Sequence, residues 1–528
     1  MNLATLIKDY KCTPTGPQEQ LISGITYDSR QVASGSLFVA IRGEKSDGHD
    51  FVDRAIVKGA RAIVYEKSHP SASELIGHYP NISWIGVDDC RDSLAAISDK
   101  FFRHPSKEIC VVGITGTNGK TTTSYLIKSV LEKWSKSVGL IGTINYMIKN
   151  DSFEAPHTTP EASDFQSLLR QMVDKGCSHV VAEVSSHALA QKRADHTQFK
   201  VAVFTNLTGD HLDYHGTMED YFKAKMRLFT ELLIDGGAAI INIDDPYGKL
   251  LSDHLKNVRP SIKLLTFSLS NKEADFVAEE IIAGFRGTSF LIRAKNSLSS
   301  IPVRSPLVGR TGIYNILSAA SAAMALGVPV EVISEGIAAV DIVRGRFERV
   351  DLGQAFLAII DYAHTHDALE RLLETSQQLL EACSITDKQK ELSGKVITVF
   401  GCGGNRDKSK RPKMGRIASN LSDFVIVTSD NPRNEEPMGI IRDIEAGIEK
   451  DNYIVIPDRH TAIRMAALLA SPGDIVIIAG KGHEDYQEIK DVRYPFSDRT
   501  VLEDAVKETF AISIRGRRRR RLKGKPRC

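Results

Sequence analysis

Residues 113–124 read GITGTNGKTTTS, a glycine-rich turn followed by a lysine and three consecutive threonines. Upstream, KEICVVGIT holds the apolar run Ile109 to Val112, the length of a buried strand. Downstream, Tyr125, Leu126, Ser129, Val130 and Trp134 recur at helical spacing. A strand that turns through glycines into a helix aims backbone N–H groups at whatever sits before the helix, and anions bind there. The strict phosphate-loop pattern asks for glycine at 114, where this chain has Ile114. A merely structural turn has no use for the lysine and the threonines. The stretch is therefore expected to bind a nucleotide in a non-standard form, through Gly116, Thr117, Asn118, Gly119, Lys120, Thr121 and Thr122. Lys120 would reach the terminal phosphates and the Thr121 hydroxyl would ligate Mg²⁺.

At 528 residues the chain exceeds one core, and about three domains of roughly 150 residues are expected. Strand-like runs alternate with helical segments throughout, which predicts an α/β fold with largely parallel sheets. The expected units are residues 1–105, 106–345 and 346–514, followed by a basic tail at 515–528. In the third unit FLAIIDYA, KVITVFGCGG, DFVIVTSD and GDIVIIAGKG each end in a polar or glycine-rich turn. Open α/β sheets bind ligands at such strand ends. ITDKQKE and the following LSGK read as a surface loop insertion.

The tail RGRRRRRLKGKPR carries nine basic residues and no acid, so the rest of the chain is net acidic. Such a block is expected to be a solvated, disordered tail, and any nucleic-acid contact would be confined to it. No stretch approaches the roughly 20 apolar residues of a membrane span. MNLATLIKDYKC lacks the basic and apolar regions of a signal peptide. The seven cysteines form no C-x-x-C pair and suit reduced thiols, so a cytoplasmic protein is expected. Cys402, in FGCGGN, reads as a small residue in a tight loop.

Further chemistry gathers at strand ends. VVAEVSSHAL places Glu183 at the end of a buried strand, and FTNLTGDHLDYHG carries Asp210, His211, Asp213 and His215. A carboxylate near the loop threonine would help complete an octahedral Mg²⁺ site. The H-x-D-x-H spacing equally suits a transition metal or simple surface hydrogen bonding, and spacing alone leaves these open. MEDYFKAKMRLF puts Lys223 and Lys225 on one amphipathic helix, where lysines are ordinarily solvated.

GTNGKTT, EVSSHAL, NLTGDHLDYHG, YNILSA, GRFE, DYAHT, FGCGGNRDKSKRPKM, SDNPRNEEP and GKGHEDYQ occur in the order that the Mur ligases show. From about Tyr27 to Arg499 the chain resembles that family, and most of all its diaminopimelate-adding branch. The resemblance implies a three-domain architecture with a central P-loop ATPase domain, an N-terminal UDP-substrate domain and a C-terminal Rossmann-like domain that binds the amino acid. It implies ATP-dependent amide formation through an acyl phosphate, with UDP-MurNAc-L-Ala-D-Glu, meso-diaminopimelate and ATP as substrates, Mg²⁺ as cofactor and a monomeric protein.

The resemblance also assigns residues. Lys120, Thr121, Glu183 and His211 would hold the phosphates and the first Mg²⁺, and a carbamylated Lys225 would serve a second. Asn315, Arg346 and Asp361 match nucleotide contacts. Tyr27, Ser29, Glu44, Lys45 and Ser46 match uridine-side contacts, while His157, Thr158, Thr159, Ser185, Gln191 and Arg193 match those of the muramoyl peptide. Arg406, Asp430, Asn431, Pro432, Arg433, Gly480 and Glu484 match the amino-acid site. The chemistry at Arg433 is direct, because diaminopimelate has a distal carboxylate that a guanidinium pairs with bidentately, whereas lysine has none. Arg344, His366 and His157 depart from the family pattern, which commonly has Pro, Pro and Asn there. Other Mur ligases, a folylpolyglutamate synthetase and a noncatalytic interaction homologue are the competing readings. The YDSR first unit and DNPR oppose the first two, and undamaged catalytic positions oppose the third.

Overall fold

A computed structural model describes residues 1–43, 46–285, 287–295, 300–386 and 394–509. Glu44 and Lys45, much of the expected loop insertion (387–393) and the basic tail lie outside the described residues.

The apolar runs of the middle of the chain pair in parallel. Cys110–Thr115 lies between His179–Glu183 on one side and Phe199–Phe204 on the other. Val138–Ile141 extends this parallel core beyond His179–Glu183, and Leu233–Asn242 and Lys263–Ser268 extend it beyond Phe199–Phe204. Antiparallel hairpins continue the sheet at both margins. Such strands are buried on both faces, so their alternate residues feed two cores. Val112 and Ile114 pack under the helices Lys120–Lys133 and Gly309–Ala325, while Val111, Val180 and Ala202 face Phe165, Leu169 and Phe229. Three adjacent strands therefore end together, and they deliver the glycine loop, Glu183 and the Thr205–His215 segment to one edge.

The first unit is a separate five-stranded sheet built from Thr13–Thr15, Ser83–Val87, Ala62–Glu66, Ser36–Val39 and Gly24–Thr26. It meets the middle unit through Ala162, which packs into its apolar core, and through polar contacts. Tyr27 donates to Asp164 at 3.2 Å and Lys192 pairs with Asp89 at 3.0 Å.

In the last unit, Leu357–Asp361, Ile475–Ala479, Val396–Phe400 and Phe424–Val427 lie side by side and parallel. Their carboxyl ends bring Asp361, Gly480, the 401–406 loop and Asp430–Arg433 to one edge. Beneath that edge Arg459 is fully buried. It pairs with the equally buried Asp498 at 2.7 Å and donates to the Ala479 carbonyl at 3.0 Å. Among the described residues no helix is long and apolar enough to cross a membrane.

Breaking a buried pair strands a charge in low dielectric at a cost of about 3 to 5 kcal/mol. Asp498→Ala is expected to lose that much in denaturant unfolding of the last unit. A loss under 1 kcal/mol would show that water reaches Arg459.

Candidate functional site

The helix Lys120–Lys133 starts from Gly119, whose φ of +85° places it in the left-handed region that a Cβ disfavours. A side chain there would also overlap Asn315 Oδ1, and one at Gly116 would overlap Thr205 Oγ1. Both glycines let the loop lie flat against neighbouring polar groups. Asn206 Oδ1 accepts from the Asn118 N–H at 2.9 Å, and Thr205 Oγ1 donates to the Asn118 carbonyl at 2.6 Å. Lys120 folds back over the loop and donates to the carbonyls of Gly116 and Thr117 at 2.8 and 3.0 Å. Burial holds its ammonium below the ordinary lysine value, with the Glu183 carboxylate opposing that effect.

Glu183 is completely buried at the end of the neighbouring strand. Its Oε2 accepts from the Thr121 and Thr143 hydroxyls, both at 2.9 Å, and its Oε1 accepts from the Thr143 N–H at 3.0 Å. Its carbonyl accepts from Thr159 Oγ1 at 2.8 Å, and that oxygen in turn receives the Ser185 N–H at 3.1 Å. Thr158 Oγ1 lies 3.1 Å from Thr143 Oγ1. Glu183 thus ties the phosphate loop, through its carboxylate, to the loop carrying His157, Thr158 and Thr159, through its carbonyl. Arg193 closes that loop by donating to the Thr159 carbonyl at 3.2 Å and to Gln191 Oε1, and it pairs with Glu161 at 2.9 Å.

Lys225 and Lys223 part company. Lys223 is exposed and pairs with Glu219 at 2.7 Å. Lys225 is buried, donates to the Gly116 carbonyl at 3.0 Å and stands 4.5 Å above the Tyr221 ring. Burial, reinforced by the charge of Lys120, pushes the Lys225 ammonium well below the ordinary lysine value, while Asp210 opposes the shift. Around this helix His187, His211, Tyr214 and His215 stack edge to face and tilted against each other. Burial lowers His187 and His215 to about 4, and His211 in the same direction. These rings are therefore neutral near pH 7. His211 itself adopts a left-handed φ of +55°.

The last unit reaches into the same space. Arg346 Nη2 lies 3.4 Å from Thr121 Oγ1, and the guanidinium stacks 5.0 Å over Tyr362. Asp361 is pinned by N–H groups of Phe347 and Ala363 at 2.6 and 2.8 Å, and burial raises its carboxyl.

A cavity of about 920 Å³ lies between the two units. Loop residues Thr117 to Thr122 line it together with Asn315, Arg346 and Asp361. Its other walls are formed by His157, Thr158, Thr159, Ser185, Gln191 and Arg193, with His211 and Arg406. Glu183 and Lys225 stand directly behind this lining, bonded to Thr121 and to the Gly116 carbonyl.

Two groups of expected residues sit apart from the cavity wall. Tyr27, Ser29 and Ser46 belong to the first unit. Asp430, Asn431, Pro432, Arg433, Gly480 and Glu484 form a second cluster at the strand ends of the last sheet. The Gly480 N–H donates to the Asp361 carbonyl at 3.0 Å and so joins that cluster to the cavity. Arg433 has a left-handed φ of +52° and exchanges backbone bonds with Glu488 and Lys490. Its side chain pairs with Glu488 at 3.1 Å and donates to the Gly404 carbonyl at 2.9 Å. Non-glycine residues held at positive φ are concentrated at functional sites.

Sequence reasoning missed Thr143, Tyr221 and Lys481. Thr143 follows the strand Val138–Ile141 in GLIGTINY, another strand end with a glycine, and that was a usable signal. Tyr221 lies one helical turn before Lys225.

A phosphate loop at the centre of a parallel sheet, facing the strand ends of a second α/β unit across a polar cavity, defines a multidomain P-loop protein. The Mur ligase middle-domain model matches residues 114–323, the Mur ligase glutamate-ligase-domain model 345–482, and the Mur ligase catalytic-domain model 21–102. The chain belongs to the Mur ligase family. It is 42% identical over 511 residues to UDP-N-acetylmuramoyl-L-alanyl-D-glutamate--2,6-diaminopimelate ligase of Clostridium botulinum, spanning 96% of this chain and 100% of that relative. The ligase of the same name from Bacillus licheniformis is 43% identical over 519 residues, with 96% and 100% covered. A solved structure of a protein with this name superimposes with a TM-score of 0.66 at 31% identity, covering 96% of this chain and 99% of the other.

Proposed function

We propose that the chain is the ligase that joins meso-diaminopimelate to UDP-N-acetylmuramoyl-L-alanyl-D-glutamate at the expense of ATP. One observation carries the reading: a phosphate loop and a peptide-sized polar loop share one cavity wall, and Glu183 binds both. The terminal phosphate of ATP and the acceptor carboxylate would meet there, and their reaction gives an acyl phosphate and ADP. The amino group of diaminopimelate then attacks the acyl carbon, an amide forms and phosphate leaves. Little covalent chemistry falls to the protein, so positioning and charge carry the catalysis.

Each residue's part follows from its place. Backbone N–H groups of the glycine loop and the Lys120 ammonium would grip the phosphates, and their charge would hold Lys120 protonated. Arg346 would approach the same phosphates from the last unit, and its buried Nε has no hydrogen-bond partner among the described residues. Asn315 and Asp361 would border the rest of the nucleotide. Ser185, Gln191 and Arg193, beside His157, Thr158 and Thr159, would hold the peptide. Tyr27, Ser29 and the loop around Ser46 would take the uridine end, with Glu44 and Lys45 proposed from the resemblance alone.

The oxygen donors of Thr121 and Glu183 suit magnesium, and His211 would add a nitrogen at the cavity wall. Magnesium, when bound, would neutralise the charge that develops on the transferring phosphoryl group. Burial makes the Lys225 amine easier to deprotonate than an ordinary lysine's, which favours the form that takes up carbon dioxide, and its carbamate would add a second carboxylate-like ligand. Because all three units of one chain supply the proposed site, a monomer suffices. A cytoplasmic location accords with ATP and a UDP-linked substrate.

For the amino acid, Arg433 would bind the distal carboxylate, while Arg406, Asp430, Asn431, Pro432, Gly480 and Glu484 would complete the pocket. Among the described residues no hydrogen bond engages Arg433 Nη2, which leaves that corner for a ligand.

Purified protein with ATP, Mg²⁺ and the UDP-muramoyl dipeptide should form an amide with diaminopimelate in strong preference to lysine or glutamate. Losing one partner of a charged pair costs about 2 to 5 kcal/mol. Arg433→Ala should therefore reduce kcat/KM for diaminopimelate by roughly two to three orders of magnitude, and for lysine by less. An unchanged ratio would remove Arg433 as the selector. Lys225→Ala should abolish turnover, with partial return on adding a small carboxylic acid, whereas Lys223→Ala should stay active. Equal losses at both lysines would contradict the carbamate.

A further inference from the structure

Lys481 has no part in the chemistry above, yet its side chain is completely buried and charged. Its Nζ donates to Asn431 Oδ1 at 2.9 Å and to Glu484 Oε2 at 3.0 Å, and it lies 5.4 Å over the Tyr486 ring. A lysine is costly to bury, and apolar side chains of similar size commonly stabilise a core as well or better. Retaining the charge here has a specific geometric consequence.

Asn431 Oδ1 receives two donors, Lys481 Nζ and the Glu488 N–H, both at 2.9 Å. An amide whose oxygen faces two donors has its NH₂ end fixed in the other direction. That end donates to Glu484 Oε2 at 2.8 Å. Glu484 Oε2 is thus occupied by Lys481 and Asn431 together, while Oε1 carries no hydrogen bond among the described residues. The carboxylate is locked in one rotamer with a single free oxygen. The same Glu488 that Asn431 holds by its N–H is the residue whose carboxylate pairs with Arg433. One ammonium therefore sets the direction of the anionic group at Glu484 and, through Asn431 and Glu488, the seat of the cationic group at Arg433.

We propose that Lys481 is the positioning residue of the amino-acid pocket. It spaces the free oxygen of Glu484 and the guanidinium of Arg433 to match an amino acid with an ammonium at one point and a carboxylate at another. The proposal rests on reading this cluster as the diaminopimelate site.

The test is a double-mutant cycle on the full-length enzyme with Lys481→Met, Glu484→Gln and both together, reading KM for diaminopimelate, KM for ATP and kcat. Hydrogen bonds to charged groups typically contribute about 1.5 to 3 kcal/mol, which corresponds to roughly tenfold or more in affinity. Lys481→Met should raise KM for diaminopimelate about tenfold or more and leave KM for ATP within about twofold. The double variant should be clearly better than the product of the two single effects, because Lys481 acts in part through the carboxylate already removed and in part through Asn431 and Glu488 on Arg433. Lys481→Gln, neutral but still able to donate to Asn431, is read in the same way and decides the matter if the methionine variant does not fold. Fully multiplicative effects, or an equal rise in both KM values, would make Lys481 a stability residue and overturn the proposal. If Glu484→Gln itself leaves KM for diaminopimelate unchanged, the assignment of the pocket fails first, and the role of Lys481 falls with it.

Discussion

A single buried carboxylate, Glu183, is the group on which the rest of the site depends. It sits at the end of a central strand with no exposure to solvent, where an unpaired charge is expensive. Three donors from two segments satisfy its side chain, and its own carbonyl receives a fourth from Thr159. The phosphate loop, the 143 turn and the 157–159 loop are therefore fixed relative to each other by one residue. The parallel sheet makes this possible, since Cys110–Thr115 and His179–Glu183 are paired neighbours that end at the same edge.

The last unit is joined to this arrangement by polar and apolar contacts together, Val308 and Phe285 of the middle unit packing against the last unit's core. Arg346 approaches Thr121, Arg349 donates to the Phe285 carbonyl at 2.8 Å, and Gly345 packs its backbone against the Gly482–His483 backbone. Gly345 lies where the chain passes between the two sheets, and its φ of +66° is one that glycine adopts freely. The neighbouring residue is Arg344, whose φ is not fixed by a ring as a proline's would be.

Much of the architecture was legible because it rests on local signals. The apolar runs bounded by glycine turns correspond to the strands Cys110–Thr115, His179–Glu183, Leu357–Asp361 and Ile475–Ala479. The choice between Lys223 and Lys225 was not legible from periodicity, because both fall on one helix. It came from the resemblance, and the two differ in the structure because only one faces the Gly116 carbonyl. Thr143 and Lys481 escaped notice for another reason. Each acts by hydrogen bonding to a residue far away in sequence, Glu183 and Asn431; the glycine turn marks Thr143 as a strand-end residue, but no local pattern names either partner. His215, in the open H-x-D-x-H cluster, bonds Ser186 at 3.0 Å and stacks on Tyr221, a structural use that spacing could not separate from metal binding.

The central claim is that the cavity brings the terminal phosphate of ATP to the substrate's carboxylate, so that the carboxylate oxygen attacks phosphorus. Isotope transfer reads this step directly. With the acceptor carboxylate of the UDP-muramoyl dipeptide labelled with ¹⁸O, each turnover with diaminopimelate should deliver one labelled oxygen to inorganic phosphate, detected by ³¹P NMR or mass spectrometry. Phosphate released without label, while amide accumulates, would contradict the account.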